Sequence, residues 1–341
     1  MQKHLPLGEP PITGYMHHLY PLSILARDTA YLPWFYCHYI QLRQFAERGL
    51  NFYLHPFYRE FSTCPLLESN RVDRRLAGDK PDEVIEFVLE CLALDYYVQL
   101  DVDYFCIPQG AYYQRVHFLH ELLLSGFDRH QRTLTASGYD RNGGYVRFAV
   151  GFAEFGQALS TAFRAEGGPD WLRDKVENAQ IVLYQYRSSA KSAFDLVQAR
   201  EELTDLYESR NTSTRLRILA EPRNHGDLWG LETYQFLADL LEDPDADDPL
   251  ISLRIFWEHK KCMAARLEYM AGQGFLPRHG GLVRRYSDIA SRANHIRMVV
   301  LRNRMKGHKT KAGRTFAQDE LCRLRMDESA LLGEVLSQLC D

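Results

Sequence analysis

The feature that most constrains this chain is a change of pattern near residue 188. Before it, short β-branched and aromatic runs alternate with amphipathic segments; after it, almost every stretch carries a helical period. Such a shift predicts two bodies, a mixed α+β part over 1–187 and an all-helical part over 188–341. A length of 341 residues suits two domains of ordinary size. No internal repeat is visible.

In the first part, residues 1–27 are rich in Pro, His and Tyr and lack a clear period, which reads as an extended arm. A helix is expected from Asp28 or Pro33 to about Arg48, capped by Asp28 and Thr29 and stopped by Gly49. Residues 81–95 predict an amphipathic helix. Val84, Phe87, Val88, Cys91 and Leu92 share one face, and Asp82 and Glu83 complement the N-terminal dipole. Strands are expected at 96–107, 117–128, 132–139, 144–150 and 181–186, with a helix over 152–166. The Leu-rich 117–124 run also admits a short helix; the nearby turn residues favour a strand. Helices are expected at 190–209, 228–242, 249–272, 284–306 and 318–340, and the acidic segment 242–249 reads as a surface connection.

Composition narrows the function classes. The chain is 45% hydrophobic and 25% charged, with 41 basic against 45 acidic residues, a net charge of −4. That balance does not fit a general nucleic-acid coat. Mean hydropathy is −0.36 and no apolar run reaches 18 residues, so no membrane span is expected. The N-terminal residues show neither the apolar core nor the cleavage site of a signal peptide. Seven cysteines, an odd number without a C-x-x-C pair, imply free thiols in a reducing cytoplasm rather than a disulfide framework or a cysteine-zinc site. No cofactor or metal is expected.

Several residues could carry chemistry. Cys37 falls one turn inside the first expected helix, where the dipole would stabilise a thiolate; the alternative is a buried apolar cysteine between Tyr36 and Tyr39. His120, on the strand 117–128, could serve such a thiol as base or be a hydrogen-bonded core histidine. His117 competes for the role, but residues three apart on a strand face opposite sides. Asp140 could orient the imidazole, although Tyr-Asp-Arg-Asn-Gly-Gly is also good turn chemistry. Asp101 and Asp103 would share one strand face as an acid pair. His17 and His18 lack helical metal-ligand spacing. The run Glu258-His259-Lys260-Lys261-Cys262 reads as a solvated helix face with Cys262 turned inward.

Residues 289–318 carry eight basic side chains and no acid: Arg292, Arg297, Arg302, Arg304, Lys306, Lys309, Lys311 and Arg314. This is either a solvated face or a dock for an anionic partner. Phe316 is the stretch's one aromatic, which argues against single-stranded nucleic acid.

Cys37, Gly49 twelve residues on, and His120-x5-Gly126-Phe127-Asp128 together resemble the papain-like fold of butirosin biosynthesis protein H and its relatives. Bacteriocin-processing cysteine peptidases share the pattern of a histidine followed by Gly-aromatic-Asp. Gly230–Leu240, Arg284–Ile289 and Trp257–Met263 are similar to the helical C-terminal region of such proteins. The resemblance implies a papain-like domain followed by a helical one. It also implies a cysteine-dependent acyltransferase that forms an amide or ester in natural-product biosynthesis. Cys37 would take the acyl group from a carrier-protein thioester, His120 would act as base and Asp140 would orient it. A small amine would be the acceptor. An acyl or peptidyl carrier protein would dock on Arg297, Arg302, Arg304 and Lys306. Two other readings stand beside this one: a catalytically inactive papain-like accessory protein in the same kind of pathway, and a cysteine peptidase.

Overall fold

The computed structural model describes residues 1–45, 49–54, 61, 63–162, 180–215, 226–242, 248–278, 280–305 and 311–339. The chain is mixed α and β, a mainly antiparallel sheet followed by helices, and it divides into two compact units. The first comprises Met1–Thr29 and Arg59–Lys191, the second Ala30–Tyr58 and Ser192–Asp341. Residues 30–58 therefore group with the C-terminal helices rather than with the sheet.

The first unit is built on a seven-stranded sheet. Its strands are β1 (Gln2–His4), β4 (Leu67–Asp73), β5 (Tyr96–Asp103), β6 (Leu119–Asp128), β7 (Thr133–Tyr139), β8 (Tyr145–Gly151) and β9 (Gln180–Tyr186). They lie in the order β4-β9-β5-β6-β7-β8, and every pairing is antiparallel. Residues Leu119–Leu124 of β6 pair with β5, and β1 takes β5's place beside Gly126–Asp128. A register shift between Leu124 and Gly126 marks this handover, as a bulge does where a strand must turn away.

Gly126 is dictated by that approach. A Cβ here would lie 2.5 Å from the Lys3 carbonyl oxygen and 2.8 Å from the His4 ring. The strand expected over 117–128 forms as β6, which excludes the short helix; Gly126, Phe127 and Asp128, expected as a turn, stay in the strand, and the turn follows Asp128.

Helix α3 (Pro81–Ala93) forms where the amphipathic period lies. Glu83 Oε2 accepts from the backbone N–H groups of Asp79 and Lys80, holding the helix start. Its buried residues are Val84, Ile85, Val88, Leu89, Cys91 and Leu92, while Phe87 is half-buried. Helix α4 (Phe152–Ala162) packs with α3 and against β5.

The arm expected over 1–27 is corrected by helix α1 (Met16–Leu25). Nine of its ten residues are buried, so no polar face exists to reveal a period, and Pro21 lies inside it. An apolar segment enclosed on all sides reads in sequence as irregular.

The second unit opens with α2 (Leu32–His38), followed by a hairpin of β2 (Gln41–Phe45) and β3 (Gly49–Tyr53). Helices α5 (Leu196–Glu208), α6 (Thr233–Glu242), α7 (Pro249–Gly272), α8 (Leu282–Met305) and α9 (Lys311–Gln338) complete it. The helix expected to run to Arg48 stops ten residues early because distant side chains take its carbonyls. The Arg266 guanidinium donates to Tyr36 O at 2.7 Å and to Tyr39 O at 2.5 Å, and His259 Nε2 donates to Ile40 O at 2.7 Å. Oxygens that would have propagated the helix are capped by α7 instead. Gly49 (φ +78°) opens β3 rather than closing a helix.

Helix α7 corrects a second expectation. Glu258, His259 and Lys260 are buried, not solvated. Lys260 Nζ lies 2.9 and 2.6 Å from the two carboxylate oxygens of Glu328 on α9, and the Tyr234 and Tyr286 hydroxyls donate to the same carboxylate. Glu258 accepts from Arg254 one turn back. Lys261 remains exposed and Cys262 is turned inward. The acidic connection at 243–247 lies outside the described residues.

Candidate functional site

Cys37 belongs to the second unit and is the penultimate residue of α2. It lies about one turn inside its helix, as expected, but the helix is so short that Cys37 also stands at the C-terminal end, where the dipole disfavours a thiolate. The thiol is 1% exposed. Its Sγ accepts from the Asp195 backbone N–H at 3.0 Å. Asp195 is also the cap of α5, its Oδ1 accepting from Gln198 N at 3.0 Å. Burial pushes the thiol up to about 11, outweighing the opposing Asp195 N–H and the Arg266 charge. Near neutral pH this group is a protonated thiol with a hydrogen-bonding role.

His120 belongs to the first unit, on β6 opposite Val102. Its ring meets Tyr104 edge-on at 5.7 Å and Phe118 at 5.2 Å, and its Nδ1 lies 3.3 Å from Glu121 Oε2. Two tyrosine hydroxyls converge on the backbone beside it. Tyr20 of α1 donates to Glu121 O at 2.8 Å, and Tyr104 donates to the same oxygen at 3.1 Å. Through Tyr20, α1 is tied to the His120 strand, and its sequence MHHLYPLSIL contains no cysteine; α3, which carries Cys91, also packs on that strand.

Asp140 closes the β7–β8 hairpin. Its Oδ1 accepts from Asn142 N at 2.9 Å and from Gly144 N at 2.8 Å, an aspartate-centred turn. Cys37, His120 and Asp140 are thus divided between the units, the first residue in one and the other two in the other.

A histidine–carboxylate pair shorter than His120–Glu121 lies elsewhere in the first unit. Asp103, at the end of β5, is 2% exposed and uses both oxygens. Oδ1 accepts from the backbone N–H groups of Phe105 at 3.0 Å and Phe118 at 3.1 Å, and Oδ2 accepts from His117 Nδ1 at 2.6 Å. The Phe105 ring stacks on the imidazole with centroids 4.1 Å apart. His117 precedes β6 rather than lying on it, so strand alternation does not govern its direction. The sequence offered both residues separately. Their pairing depends on a loop closure across 14 positions, which no periodic pattern records.

The basic stretch of the second unit is partly neutralised. Arg292 donates to Glu320 at 2.5 Å and to Asp327 at 2.6 Å, and Arg304 pairs with Asp248. Arg297 lies over the Trp257 ring at 4.6 Å, with Lys261 at the same distance, and donates to Asn294 Oδ1. Arg302 is exposed. Lys306 and Lys309 lie outside the described residues, as do the side chains of Lys311 and Arg314. Among the described residues no cluster of three or more His, Cys, Asp or Glu could hold a metal, and no helix is long and apolar enough to cross a membrane.

No protein-family model and no curated protein matches this chain.

Proposed function

We propose that this chain is a papain-like accessory protein, one that binds an acyl or peptidyl intermediate of natural-product biosynthesis without using Cys37 as a nucleophile. The observation that carries this reading is the state of Cys37. Its thiol is buried and held by Asp195, and burial raises it to about 11, so only about one part in ten thousand would be thiolate at pH 7. Support for the papain-like part comes from the antiparallel sheet, from α1 reaching β6, and from the His120-x5-Gly126-Phe127-Asp128 run on that strand.

The test is limiting alkylation at neutral pH followed by peptide mapping. Cys322, which is exposed, should react first, and Cys37 should stay protected until unfolding. A Cys37→Ser variant should keep its affinity for an acylated carrier protein. Rapid alkylation of native Cys37 ahead of Cys322 would return the chain to the cysteine acyltransferase reading, with His120 as base and the acyl group passing from thioester to amine.

A further inference from the structure

We propose that His117 is the general base of a water-dependent esterolytic site on the first unit, held in place by Asp103, and that its substrate is an uncharged carboxylic ester with an apolar acyl group. The inference is independent of the role assigned to Cys37. Three observations meet here. First, the Asp103 carboxylate is buried and anchored by two backbone N–H groups, so the imidazole is fixed from a rigid point rather than paired with a mobile side chain. Second, the bond at Nδ1 fixes the tautomer. Nδ1 carries the proton and donates to Asp103, and in the neutral ring this leaves Nε2 as the acceptor. The His117 side chain is 64% exposed while its partner carboxylate is 2% exposed, so the reactive side of the ring is the accessible one. Third, apolar side chains stand beside the ring, in a loop that also exposes Gln114 and Arg115. Phe105 stacks on the ring, Phe118 packs with Tyr112, and Tyr112 and Val116 are exposed at 39% and 55% in the same loop.

A carboxylate-oriented imidazole of this kind can accept a proton from water as the water oxygen attacks an ester carbonyl. The new bond is between water oxygen and carbonyl carbon. The bond that breaks joins that carbon to the alcohol oxygen, which leaves with the electron pair and takes back the proton from Nε2. Acid and alcohol are the products, and His117 ends as it began. Asp103 is a positioning residue, stabilising the imidazolium that forms in passing.

The probe is p-nitrophenyl butyrate with the full chain, measured against an equimolar imidazole blank. The wild type should exceed the blank. His117→Gln, a change at an exposed side chain, should lower kcat/KM at least tenfold, and Cys37→Ala should leave it within twofold. Asp103→Asn should lower kcat while KM holds, the split expected for lost orientation and not for a damaged binding surface. Turnover no greater than the blank, or turnover unchanged in His117→Gln, would overturn the proposal. Loss in Cys37→Ala with His117→Gln unaffected would overturn it too, and would place the activity on the thiol.

Discussion

The Arg266 guanidinium donates from α7 to the carbonyl oxygens of Tyr36 and Tyr39, 230 and 227 positions away in sequence. This contact ends α2 and frees the following residues to form the β2–β3 hairpin. Arg266 is fully buried. Arg266→Met should cost roughly 3–5 kcal/mol, because two buried carbonyls lose their donor and Met cannot replace it. Urea denaturation would show the loss as a lower midpoint with an unchanged slope. A loss under 1 kcal/mol would mean that other donors replace the guanidinium.

Lys260 and Glu328 form a second buried device, and the two should behave non-additively. Lys260→Met alone leaves a buried carboxylate facing only two tyrosine hydroxyls, and a destabilisation of about 3–5 kcal/mol is expected. Combining it with Glu328→Gln removes the stranded charge and should recover a large part of that cost. A double-mutant cycle by chemical denaturation measures this directly; additive losses would contradict it.

Glu202 on α5 is buried, and desolvation first, with Asp205 one turn on second, raises its carboxyl to about 8. In the unfolded chain the same group ionises near pH 4.5. Between these values the folded state holds a proton that the unfolded state has released, so this residue's contribution to stability falls as pH rises from about 4.5 to about 8. Glu202→Gln, which keeps the shape and removes the ionisation, should stabilise the protein by up to about 3 kcal/mol at pH 7 and by little at pH 4. Thermal melting across that pH range is the check, and an equal effect at both ends would show that ionisation is not its cause.

Gly126→Ala would drive a methyl into the Lys3 carbonyl, where the neighbouring atoms are backbone rather than a flexible side-chain end. The expected result is a loss of about 1–3 kcal/mol together with release of β1 from β6. Amide exchange at Lys3 and His4 should accelerate while exchange in β5 stays slow.

Much of the architecture is written locally. Helix α3, strands β5 to β9 and the long helices α7 and α8 form close to where period and turn residues place them, because amphipathic faces and strand alternation are properties of neighbouring residues. The His120-to-Asp128 run lies on a strand ending in a turn, as its composition indicates. The order of the sheet, the grouping of 30–58 with the C-terminal helices and the environment of Cys37 are not local quantities. Cys37 sits in a buried bond to Asp195, and an approach across 158 positions leaves no trace in sequence. The same holds for the Glu258–Lys260 run, whose charges look solvated until Glu328 arrives from α9. It holds equally for Asp103 and His117, unremarkable apart and directional together. Propensity and patterning act over one or two turns of chain. The free energy of a charge, a thiol or an imidazole is set by what surrounds it in three dimensions, and only the folded arrangement decides that.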